Sequence, residues 1–178
     1  MKEKYEWVQI WKENADDENL PRILLIGDSI TNGYYEFVKN HFKGMYNVDK
    51  LVMSYSLESK SFISQVKSAL YEYRYDIVHF NNGLHGKHLS VNRYKKYLIK
   101  ILKFLKRRSA KIIVADITEV LNGEHTQPCD EWSPIVEQRN NAIYDICRRF
   151  NLPLSRLFEV SLRLKDNRSA SDGFHFTP

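Results

Sequence analysis

The chain of 178 residues has little of several things. Its two cysteines, Cys129 and Cys147, cannot build a disulfide framework, and neither stands in a CxxC or other metal-ligand spacing. Both are expected to be free thiols, and no metal is expected. Only seven glycines and five prolines are present, which excludes a collagenous or low-complexity chain. No apolar run exceeds five residues, far below the roughly 20 that a membrane helix needs. The first 20 residues, MKEKYEWVQIWKENADDENL, are charged throughout and lack the apolar stretch of a signal peptide. As written, the sequence predicts a cytoplasmic protein with no membrane partner; a secreted form with its leader removed is the other reading.

What is present suffices for one packed core: 43% of residues are hydrophobic and 13% aromatic. The chain reads as a single domain over 1–178, with 1–20 as an N-terminal helical extension. The net charge is +5, from 27 Lys and Arg against 22 Asp and Glu. Ten of those basic residues fall within 77–115, a stretch without a single acidic residue, so the remainder is net negative. Most of them alternate with an apolar stripe, the pattern of a solvated helix face. No nucleic-acid motif accompanies them, and no nucleic-acid partner is expected.

Strand-like runs alternate with segments of helical period. Strands are read at Arg22–Ile26, Val48–Met53, Asp76–Phe80 and Lys111–Ala115, with a last short one in Leu152–Leu157. Helical stripes run through Ile30 to Phe42, Phe62 to Tyr73, Val91 to Leu105 behind a Ser90 cap, and Val136 to Phe150. The last of these helices follows a long polar loop, Glu119–Trp132, with Ser133 as cap and Pro134 as first residue. Such alternation predicts βαβ units, a mostly parallel sheet and helices on both faces. Ligands then bind beyond the carboxyl ends of the strands, which points to 27–33, 54–61, 81–88 and 116–118.

One of those turns reads Gly27-Asp28-Ser29. A serine between a strand and a helix N-terminus is well placed as a nucleophile, because its own N–H can help hold an oxyanion. As a lone triplet it equally suits a capping or phosphate-holding serine. A nucleophile needs a base, and the base an orienting group. Asp172-Gly-Phe-His175 places a carboxylate three residues before a histidine, so one short turn can present both. Asp28 reads as a turn-fixing residue beside the nucleophile. His79 reads as a core histidine, and His88, His125 and Trp132 as loop residues within reach of the site.

Arg22–Gly33 resembles the first block of the SGNH (GDSL-type) hydrolases, and Asp172–His175 resembles their last. Asp76–Gly83 is similar to the third block, and Arg139–Tyr144 to the penultimate helix. The resemblance implies a flavodoxin-like three-layer α/β/α sandwich and cofactor-free ester hydrolysis or acyl transfer. It implies Ser29 as nucleophile, His175 as general base and Asp172 as its orienter. For the oxyanion hole it implies the Ser29 N–H together with donors from the second and third blocks. Ser59 aligns with the second-block glycine, and His85 stands where the third block has asparagine, with Asn82 the neighbouring alternative. Asp28, Gly83, His88 and Trp132 complete the expected substrate-binding set.

The expected activity is hydrolysis of small acyl esters, acetyl being the guess, carried on a carbohydrate. So short a chain leaves little length for a lid or a long acyl tunnel. A non-catalytic module with an altered oxyanion hole, an acyltransferase of the same fold and a phosphate-binding flavodoxin-like protein are the alternatives.

Overall fold

The computed structural model describes residues 4–169 and 172–177. Arg22–Gly27 forms β2, buried along its whole length, as a short apolar run between a proline and a tight turn should be. It lies central in a six-stranded sheet whose strands, in order across it, are Val8–Trp11 (β1), Asn47–Met53 (β3), β2, Tyr75–Phe80 (β4), Ser109–Ala115 (β5) and Leu154–Ser155 (β6). β3, β4, β5 and β6 continue it in parallel, with Ile26 opposite both Leu51 and Phe80. Ser29–His41 (α1) packs on one face through Tyr35 against Ile23, Leu25 and Val48. Lys60–Glu72 (α2), Val91–Leu105 (α3) and Ser133–Phe150 (α4) bury Phe62, Tyr94, Leu98 and Ile143 against the other, with Leu24, Ile26 and Val114. Leu157–Arg163 (α5) follows β6. This is the three-layer α/β/α sandwich.

Three local expectations are corrected. The segment before residue 21 holds no helix among its described residues; Val8–Trp11 is instead a strand, β1, antiparallel to β3 with Val8 opposite Met53. Its β-branched and aromatic residues Val8, Ile10 and Trp11 suit an extended strand, and all four of its residues are exposed at the sheet edge. The last strand shrinks to two residues, since Leu157 already begins α5. Trp132, rather than Ser133, is the cap of α4. Ser133 is already the first residue of the helix, and its hydroxyl donates back to the Cys129 carbonyl at 2.8 Å.

The exposed lysines of α3 do lie opposite its buried stripe of Tyr94, Leu98, Ile101, Leu102 and Leu105. No helix among the described residues is long and apolar enough to cross a membrane.

Candidate active site

The strand-to-helix turn after β2 is built by three residues in a row. A Cβ on Gly27 would fall 1.8 Å from Thr31 Oγ1, so only glycine permits this turn. Asp28 is the N-cap of α1, its Oδ1 accepting from the Ile30 N–H at 3.0 Å. Ser29 then begins the helix, where the first N–H groups have no intrahelical acceptor and the helix dipole favours negative charge. Asp28 is 1% exposed. Burial raises its pKa, against the pull of nearby His85, the Ile30 and Thr31 N–H groups and His175. It therefore caps the helix from within and does not present itself to a substrate.

The Asp172–His175 turn reaches this serine from the far end of the sequence. The Asp172 Oδ1 accepts from the N–H groups of Phe174 and His175, both at 2.8 Å. Its Oδ2 lies 2.7 Å from His175 Nδ1, and His175 Nε2 lies 2.7 Å from Ser29 Oγ. Desolvation opposes ionisation of Asp172, but bonds from the His175 backbone, the His175 ring and the Phe174 backbone outweigh it and lower its pKa. A carboxylate can only accept, so Nδ1 carries the proton and Nε2 is left to accept from the serine hydroxyl.

Arg168 holds the turn in place. The residue is 5% exposed, and its guanidinium donates to the carbonyls of Glu119, Gly173 and Phe174. The Leu121 N–H also donates to the Gly173 carbonyl. A Cβ on Gly173 would meet the Leu121 carbonyl oxygen at 1.9 Å, which accounts for the glycine between Asp172 and His175. Trp132 sets its ring edge-on to Phe174, centroids 5.5 Å apart, and so props this turn.

The loop after β4 is organised by a residue on the apolar stripe of α4. Arg139 is 1% exposed and donates to the carbonyls of Gly83 (2.5 Å), Gly86 (2.7 Å), His85 (3.2 Å) and Leu89 (3.5 Å). Gly83 thus contributes through its carbonyl to the loop's anchorage. Burial lowers the Arg139 pKa, opposed by the neighbouring Tyr94. This clamp places His85 close enough to Asp28, and so to the serine turn, to interact with its charge. Asn82 turns elsewhere: its Nδ2 donates to the Tyr55 carbonyl at 3.2 Å, and its Oδ1 is buried without a partner among the described residues.

Ser59 does not fill the place expected of it. It caps α2, its Oγ accepting from the Ser61 N–H, and its own N–H donates to the Ser56 carbonyl at 2.9 Å. The turn before α2 consumes the backbone donor that the alignment sought there. His88 pairs with Glu58 at 2.7 Å, and Arg93 joins the same carboxylate at 2.5 Å, tying the 54–59 loop to the start of α3.

A cavity of about 530 Å³ opens beside Ser29 and His175, on the face of the sheet carrying α1. None of Asp28, Gly83, His88 and Trp132 lines it. Its walls come from α1 and α5, and its floor includes His79, whose pKa burial lowers to about 4. Among the described residues, no group of three or more His, Cys, Asp or Glu side chains is gathered to hold a metal ion. Arg139 and Arg168 escaped the sequence reading as site residues. An arginine within an apolar helical stripe, as at 139, was the available signal.

No protein-family model matches the chain, and no curated protein matches it. Solved structures do. A lipase/acylhydrolase from Enterococcus faecalis aligns with a TM-score of 0.72 at 18% identity, over 89% of this chain and 88% of that one. An acetyl xylan esterase gives 0.72 at 17% identity, covering 88% and 91%. A GDSL-like lipase from Bacteroides thetaiotaomicron gives 0.67 at 14%, covering 88% and 80%. The sheet order, the three layers and these alignments agree, and the chain has the fold of the GDSL-type (SGNH) hydrolases.

Proposed function

We propose that the protein is a serine esterase. The reading rests on one observation: Ser29, His175 and Asp172 form an unbroken chain of two 2.7 Å contacts at a helix N-terminus. The Ser29 oxygen attacks the ester carbonyl carbon while its proton passes to His175 Nε2. Negative charge collects on the carbonyl oxygen, met by the Ser29 N–H and by His85, which the Arg139-held loop brings toward the serine turn. His85 suits this place better than Asn82, whose amide is already engaged with Tyr55. The C–O bond to the alcohol then breaks, and the alcohol leaves with the proton from His175. Water attacks the acyl-enzyme, giving its proton to the same nitrogen, and the acid departs as Ser29 recovers its hydrogen. Asp172 keeps the imidazole in the tautomer that both steps use.

The names of the fold neighbours, lipases and acetyl xylan esterases, support esters as substrates, acylated carbohydrates among them. Acyl transfer would share the acyl-enzyme and differ only in what attacks it. Hydrolysis of p-nitrophenyl acetate is expected from the parent and expected to vanish in Ser29→Ala. Equal rates in the two would overturn the assignment. Failure of a fluorophosphonate to label Ser29 in folded protein would favour a binding module instead.

A further inference from the structure

The helices on the face of the sheet away from the cavity carry charge of one sign. α3 holds no acidic residue, and the one acid of α2, Glu72, lies 3.7 Å from Lys12. Between the two helices runs a groove of about 360 Å³. Lys67, Lys100, Lys103 and Arg107 line it, with Ile63 and Phe104 half-buried among them. Arg107 also lines the hollow at the end of the two helices, together with Arg74, Arg108 and Tyr71. All six of these cations are exposed.

Neighbouring cations have found carboxylates: Arg93 reaches Glu58 at 2.5 Å, and Lys95 reaches Asp145 at 3.5 Å. Among the described residues, none of the six pairs with a carboxylate. Lys96, Lys100 and Lys103 share one stripe of α3, and Arg107 extends it in the turn that follows. At 1.5 Å per residue that row of like charge is about 16 Å long, and Lys67 faces it across the groove. Like charges so placed repel one another, and an outside anion relieves the repulsion.

The extent of the row selects the kind of anion. A single phosphate or carboxylate satisfies two or three cations, whereas six spread over two helices call for an array. Lysine heads the row, and its point charge on a flexible stem suits mobile headgroups better than one fixed anion. A single-stranded nucleic acid would also need flat rings on which to stack. Among the described residues of α2 and α3, Tyr71 alone is a strongly exposed large apolar side chain, at 64%. Arg108 covers one face of its ring at 4.1 Å and donates to its hydroxyl at 2.6 Å. An amphipathic ring beside a cationic face is the arrangement usual at a bilayer interface.

We infer that the α2–α3 face docks on an anionic phospholipid surface. The apolar side of α3 is buried in the core, so no helix inserts and the attachment is electrostatic and reversible. This departs from the expectation of no membrane partner, which rested on the lack of a spanning segment. The cavity beside Ser29 opens on the other face of the sheet, so the docked protein keeps it toward water. The bilayer is therefore an anchor and not the source of the substrate, and the inference stands apart from the esterase reading.

Sedimentation with phosphatidylcholine vesicles containing about one-third phosphatidylglycerol, at about 50 mM salt, tests it. The parent is expected to partition onto them about tenfold or more better than onto pure phosphatidylcholine, and to be released by about 0.5 M salt. Each neutralised cation should lower partition about fivefold, so Lys100→Gln with Lys103→Gln loses about 25-fold. Lys100→Arg with Lys103→Arg should keep it, because a bilayer reads charge. Lys43→Gln with Arg163→Gln removes the same charge from exposed positions after α1 and in α5, and should change partition less than about twofold. Circular dichroism checks the fold of each variant, and Ser29→Ala is expected to bind like the parent. A parent that sediments no better with anionic than with neutral vesicles would overturn the inference. So would a Lys100→Gln, Lys103→Gln protein that binds like the parent, or equal losses in the two glutamine pairs. Retention on heparin or single-stranded DNA without vesicle binding also overturns it, and gives this face to a linear polyanion.

Discussion

Replacing Arg139 by methionine keeps an unbranched apolar stem on α4 and removes only the guanidinium. The Gly86 carbonyl keeps the Leu89 N–H as a donor at 2.9 Å, so at most three carbonyls are orphaned. Orphaned buried acceptors cost about 1–3 kcal/mol each, a gross loss of roughly 3–9 kcal/mol. Two corrections reduce this figure. The Leu89 contact, at 3.5 Å, is weak and contributes little. The variant also recovers the dehydration of a buried cation, which can rival what the cation's partners return. The short bond to Gly83 dominates what remains, and we expect a net destabilisation of about 2–4 kcal/mol. Urea unfolding followed by tryptophan fluorescence measures it, with p-nitrophenyl acetate hydrolysis recorded on the still-folded fraction. Activity should fall further than folded population does, because the freed loop no longer aims His85. Arg139→Lys should restore part of the stability, since an ammonium can satisfy some of the carbonyls but not all four. A methionine variant within about 1 kcal/mol of the parent would show that the carbonyls find other donors, and the clamp argument would be wrong.

Two further outcomes follow from the same contacts. Asp172→Asn is expected to lower kcat about 10³–10⁴-fold, because an amide nitrogen facing Nδ1 would put the imidazole proton on the side of Ser29; an unchanged kcat would remove Asp172 from the mechanism. His79 is held neutral, with a folded pKa of about 4 against 6.5 when exposed, so between these values the unfolded chain binds more protons and stability falls as pH falls. The full difference corresponds to roughly 3 kcal/mol, which water entering the cavity reduces to about 1–2 kcal/mol. His79→Phe should flatten the stability profile over that window in thermal melts; a profile as steep as the parent's would assign the slope to other groups.

The central strands and α1 to α4 were legible because each depends on local pattern plus one topological rule, whereas the pairing of residue 29 with 172 and 175 was suggested by the resemblance to the SGNH hydrolases. Apolar runs fix β2 and β5, helical period fixes α3, and parallel order then brings the strand ends together. What was illegible depends on particular three-dimensional partners. Val8-Gln-Ile-Trp is only four residues long, and nothing near it in sequence announces that the edge of β3 is open. Ser59 aligned correctly with a turn, yet whether its N–H is free depends on a carbonyl three residues earlier. Asn82 and His85 are close in sequence, and only the folded loop decides which of them faces Tyr55. The cavity beside Ser29 draws on α1, α5 and residues near the C-terminus, so no single segment carries its signature.

Ser29 and His175 are 146 positions apart, which gives the site a particular place in folding. Closing so long a loop in one step is entropically costly, though the cost grows only about 0.6 kcal/mol per doubling of length. The strand pairings divide that span, because β2 pairs with β3 and β4, β4 with β5, and β5 with β6. The last turn, pinned by Arg168 to Glu119 and by Leu121 to Gly173, can then dock on a finished scaffold. On the proposed esterase reading, activity after dilution from denaturant should return later than the helical signal, and a brief opening of this one turn would separate His175 from Ser29 while every strand stays paired.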